Sequence, residues 1–98
     1  MKLCLDDIRD APDDSWTVVR SAKEAWHLLC GFPIIVEAIS LDHDLGTGAQ
    51  DGYWLAKRIV EFEIWPKDIY VHSMNPVGKH NIIHLLTHYA PDWVTIHK

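Results

Sequence analysis

Three short apolar runs in this chain end in groups suited to acid–base and phosphate chemistry. Lys2-Leu3-Cys4-Leu5 runs into Asp6-Asp7, Val36–Leu41 into Asp42-His43-Asp44, and Ile69-Tyr70-Val71 into His72-Ser73. Adjacent carboxylates are hard oxygen donors of the kind Mg²⁺ uses, since that ion takes one or two carboxylates and keeps its waters. Asp6, Asp7 and Asp42 are thus candidate ligands for Mg²⁺ or Mn²⁺. A lone acidic pair reads more simply as turn aspartates capping backbone amides. Three acids on converging strand ends favour the metal. Imidazole titrates near neutrality, so one copy can take a proton while another gives one. His43 and His72, with Asp42 and Asp44 beside them, are the candidate catalytic residues. Two histidines flanking a phosphodiester can drive in-line displacement without a covalent intermediate. Either histidine alone would read as a hydrogen-bonded structural residue.

An anion seat follows the third run. Ser73, Asn75 and the amides at Val77 and Gly78 fall where a helix should begin, and a helix start attracts phosphate through its amides and dipole. Gly78 would admit a phosphate closely, and Arg9 and Lys79 add positive charge. Ordinary capping by Asn75 is compatible with this role. His80, His84 and His88 recur every four residues. Such a stripe can hold Zn²⁺ through two of its members, yet no nearby cysteine or glutamate completes the set. A solvated face is the simpler reading, and that face could equally be a partner surface; a homodimer is a separate expectation for the chain. His27 and His97 carry no signal.

These groups need elements to position them. Lys2–Leu5 reads as a short buried strand and 6–15 as a loop with five aspartates and Pro12. Trp16–Val19 is rich in strand formers. Ser21 to Glu24 spells a capping box, Ala22, Ala25, Trp26 and Leu29 share one helical face, and Gly31 suits the position after the helix. Val36–Leu41, nearly all apolar, reads as a central strand. Asp51 caps a helix to about Glu63, with Leu55, Ala56, Ile59 and Phe62 inward. Ile69–His72 is the fourth strand. Asn75-Pro76 starts a helix whose inner stripe is Ile82, Leu85, Leu86 and Tyr89. Pro91-Asp92 ends it, and Val94–His97 is the fifth strand. Alternating strands and helices imply a mostly parallel five-stranded sheet of the α/β class. Its carboxyl edge would gather all three polar clusters. The ten residues between the first two strands are short for a parallel crossover, so they form a bare tight loop or the second strand lies at the edge.

Bulk properties narrow the function. At 98 residues, 48% of them apolar, one small domain (1–98) with a real core is expected. No stretch approaches a membrane span, and the first residues lack a signal-peptide pattern, so a cytoplasmic protein is expected. Cys4 and Cys30 fit reduced core thiols. A formal charge of −5 opposes broad binding to long nucleic acids but leaves room for a small phosphate ligand. Five tryptophans should serve as core or pocket walls.

At these residues the chain resembles a response-regulator receiver domain. Receivers carry an acidic pair after the first strand, a phosphoacceptor aspartate after the third, Ser or Thr after the fourth and Lys after the fifth. Those roles would fall on Asp6-Asp7, Asp42, Ser73 and Lys98. Asp42 is followed by Leu45 and then by Asp51-Gly52 opening a helix. The chain departs from that pattern in three ways. The helix between the first two strands is reduced or missing, His43 and His72 are not typical receiver residues, and Gly46 stands where receivers usually carry proline. The strings Leu5-Asp6-Asp7-Ile8-Arg9, Ser40-Leu41-Asp42-His43-Asp44-Leu45-Gly46 and His72-Ser73-Met74-Asn75-Pro76 are more similar to a divergent branch. This is the cyclic-phosphate-processing receiver-like family of bacteria and their phages.

The resemblance implies a small flavodoxin-like three-layer fold. It also implies a metal-dependent phosphoesterase acting on a cyclic phosphate or phosphodiester of a nucleotide or RNA end. Arg9, Ser73, Asn75 and Lys79 would hold the phosphate. Two other functions compete: a signalling receiver phosphorylated on Asp42, and a non-catalytic protein that binds a cyclic nucleotide.

Overall fold

The computed structural model describes residues 1–5, 15–31, 35–42, 52–72 and 76–97, with Asp42 and His72 described by backbone position. The elements run β1 (Lys2–Leu5), β2 (Trp16–Val19), α1 (Ala22–Cys30), β3 (Ala38–Asp42), α2 (Gly52–Phe62), β4 (Asp68–His72), α3 (Pro76–Tyr89) and β5 (Thr95–His97). One sheet contains all five strands in the order β2-β1-β3-β4-β5. Every pairing is parallel. This is the flavodoxin-like order expected of a receiver-like chain, and β2 is indeed an edge strand. The helix expected to be reduced or missing, and the layer it would supply, fall in residues 6–14, outside the described residues.

The connections explain where the helices lie. β2 to β3, β3 to β4 and β4 to β5 all advance in one direction across the sheet, and right-handed crossovers then place their helices on one face. Accordingly α1 packs on α2 and α2 on α3, while α1 also meets β1 and β2, and α3 meets β4 and β5. Between helices and sheet lies the core, with Leu3, Leu5, Ile39, Leu41, Ile69 and Val71 of the strands joined by Leu55, Ile59, Ile82 and Leu86 of the helices. The intervening strand residues belong to the other face. Cys4, Ala38 and Ser40 are buried there, beneath a row of larger side chains. Trp16 meets Tyr70 edge-on at 5.7 Å and Tyr70 stacks on His97 at 4.1 Å. Lys2 Nζ lies 5.6 Å from the Trp16 ring centre, and His97 Nε2 lies 2.9 Å from Asp68 Oδ1. His97, expected to carry nothing, thus ties β5 to β4.

Local sequence accounts for the start of α1 but not for the ends of α1 and α2. Ser21 is extended, and its Oγ accepts the Glu24 N–H at 3.1 Å, as the capping box requires. Gly31 follows α1 with φ −75°, so it does not supply the left-handed turn that its glycine suggested. That turn instead closes α2 at Glu63, with φ 55°. The Ile64 N–H then donates to the Ile59 carbonyl at 3.3 Å, the outer bond of a Schellman motif.

Two expected inner residues point outward: Phe62 is 50% exposed and Tyr89 is 56% exposed. Gly52 and Gly78 are among the buried residues of α2 and α3. Trp26 is half-buried and packs on Phe62 at 5.4 Å. Cys30, expected in the core, is exposed, and Cys4 is buried; neither forms a disulfide. Of the tryptophans, Trp16, Trp26, Trp54 and Trp65 are half-buried, whereas Trp93 is exposed. β3 begins two residues later than expected, at Ala38. Glu37 still bonds across the sheet, donating to the Met1 carbonyl and accepting from the Asp68 N–H.

Candidate functional site

The sheet order reverses direction at β1: the chain first steps outward to β2 and then returns past β1 to β3. In open α/β sheets ligands bind outside the carboxyl ends of the strands at such a reversal. Here the reversal lies between the carboxyl ends of β1 and β3.

A row of buried side chains lies in register at these strand ends. Leu5 pairs with Val19 on one side and with Leu41 on the other, and Leu41 pairs with Val71. None of the four exceeds 3% exposure, so this row is part of the buried core. One residue further on, Asp42 and His72 are themselves Cα partners. A candidate acid and a candidate base therefore occupy adjacent positions on neighbouring central strands. Leu5 beside Leu41 also means that the chain enters Asp6 and Asp42 from adjacent strand ends.

Of the other candidates, Lys79 is half-buried in the first turn of α3. Asp6, Asp7, Arg9, His43, Asp44, Ser73, Asn75 and Lys98 lie outside the described residues. Gly78 lies on the buried stripe of α3 with Ile82 and Leu86. Arg20, which the sequence reading passed over, immediately follows β2 at the same edge and is exposed. Its only sequence signal was its place directly after an apolar run.

The donor set suits a hard divalent ion. Asp6, Asp7 and Asp42 offer only carboxylate oxygens, and β1 and β3 bring the approaches to all three side by side. Among the described residues no group of three or more His, Cys, Asp and Glu is placed to hold a metal ion. Nor, among those residues, is any helix long and apolar enough to cross a membrane.

An all-parallel five-stranded sheet in this order with three helices is the arrangement of a receiver-like domain. The chain belongs to the cyclic-phosphate processing receiver domain family, whose profile matches residues 1–88. No curated protein and no solved structure matches the chain.

Proposed function

We propose that this protein is a metal-dependent phosphoesterase that opens a cyclic phosphate or phosphodiester on a nucleotide or RNA end. The observation that carries the reading is the register pairing of Asp42 with His72 beside the end of β1, in a chain of the cyclic-phosphate processing family. A receiver that only accepts phosphate needs the acids. It does not need an imidazole in register with its central aspartate.

In this mechanism Asp6, Asp7 and Asp42 would hold Mg²⁺ or Mn²⁺, which supplies positive charge against the phosphoryl oxygens. Arg9, Ser73, Asn75 and Lys79 would hold the phosphate and orient it for in-line attack. One of His43 and His72 takes the proton of the attacking water. The other protonates the departing sugar oxygen. The ester P–O bond breaks as the new P–O bond forms, and a phosphomonoester (or an opened diester) leaves. Asp44 lies next to His43 in sequence and would orient that imidazole.

The test is a hydrolysis screen with added Mg²⁺ or Mn²⁺ across 2′,3′-cyclic, 3′,5′-cyclic and cyclic-dinucleotide substrates. Metal-dependent product release supports the reading. Recovery of every ligand intact contradicts it, and ligand that binds but returns intact assigns the protein as a cyclic-nucleotide binder.

A second reading has its own observation. Asp42 closes a central strand, the place a receiver keeps its phosphoacceptor. Incubation with a small phosphodonor followed by intact-mass measurement separates the two. A stable adduct on Asp42 identifies a signalling receiver, with Ser73 and Lys98 sensing the phosphate.

A further inference from the structure

Away from the strand ends, α3 carries a second set of chemically capable groups. His80, His84 and His88 succeed one another at one helical turn each, and all three are exposed. The rings of His80 and His84 lie nearly parallel, 18° apart, with centres 6.2 Å from one another. His84 and His88 line an open cleft of about 350 Å³ beside Tyr53 of α2 and Asn81. His84 belongs to both arrangements, with one imidazole a turn above it and another a turn below.

We propose that His84 is the common ligand of a two-imidazole site for a divalent first-row transition ion. Two histidines four apart on a helix present their ring nitrogens to the same point, the arrangement zinc enzymes use for two of their ligands. In the structure the two rings lie nearly parallel rather than aimed at one point, and an ion about 2.1 Å from a nitrogen of each ring needs both ring planes to meet at it, so binding requires a shift in which both rings turn. Both rings are exposed and free to make that shift by rotamer change.

Imidazole favours Cu²⁺, Ni²⁺ and Zn²⁺ over Mg²⁺. This separates the site from the carboxylate edge. With only two protein ligands the ion keeps water on its remaining positions, and Asn81 and Tyr53 offer oxygen atoms within the cleft. Such an ion exchanges readily and is not needed for folding. The site is independent of the proposed hydrolysis.

The test is titration of the untagged, metal-stripped protein with Ni²⁺ and then Zn²⁺ in 10 mM Mg²⁺ (a concentration of about this order saturates ordinary carboxylate sites). His84→Ala, His80→Ala, His88→Ala and the double His80→Ala/His88→Ala variants are compared, each checked for unchanged circular dichroism. One ion per chain is expected. His84→Ala and the double variant should each lose at least tenfold in affinity, and the two single variants should lose less. Absence of binding overturns the site. So does binding that Mg²⁺ displaces, or binding that survives His84→Ala.

Discussion

His97 Nε2 lies 2.9 Å from Asp68 Oδ1 while the same imidazole stacks on Tyr70 at 4.1 Å. This joins the last strand to its only neighbour, because β5 closes the sheet beside β4. β5 has just three residues, so few ladder bonds hold it. His97→Ala should cost about 1 kcal/mol, combining a lost hydrogen bond and a lost ring contact. A double-mutant cycle with Asp68→Asn should give a coupling of roughly 0.5 kcal/mol, as both partners are part-exposed. Additive losses by urea unfolding would show that the pair is structurally idle.

Glu63 adopts a left-handed conformation at the end of α2, where a side chain is penalised and glycine is not. Glu63→Gly should therefore raise stability by about 1 kcal/mol. Glu63→Ala should not, since alanine keeps the Cβ. Equal midpoints for both variants in urea would contradict the assignment.

Arg58 sits one turn from both Trp54 and Phe62 on α2, with its guanidinium carbon 5.1 Å and 5.7 Å from the two ring centres. The planar cation covers two rings that the core does not fully bury. Arg58→Ala should cost about 0.5–1 kcal/mol. Arg58→Lys should recover only part of that, because an ammonium does not stack as guanidinium does. Thermal unfolding of the three proteins reads the difference.

The strands were legible because each is an apolar run bounded by charge or a turn residue. β1 and β2 begin and end where Lys2, Leu5, Trp16 and Val19 mark them. The capping pair Ser21 and Glu24 and the start at Pro76 were legible for the same local reason. What escaped depends on neighbours distant in sequence. Phe62 and Tyr89 match the helical period but fall at the margin of the buried stripe, where the adjacent helix decides exposure. Glu63 takes the turn expected of glycine because Ile64 gains burial against the core. His97 acquires its role from Asp68, 29 positions earlier, a contact only the sheet order creates. For the candidate site, Asp42 and His72 were legible as residues that close apolar runs. The pairing of Asp42 with His72 required the register of β3 on β4.

That pairing also marks the most direct test of the proposed chemistry. Turnover of the best substrate from the cyclic-phosphate screen should be measured for the wild type, His72→Ala and Asp42→Asn at saturating Mg²⁺ or Mn²⁺. Loss of a positioned acid–base group costs about 10²–10⁴ in rate, so His72→Ala should fall by at least that range while its circular dichroism stays unchanged. Asp42→Asn should also lose turnover and should need more metal. Full turnover by folded His72→Ala would contradict the role given to the histidine paired with Asp42.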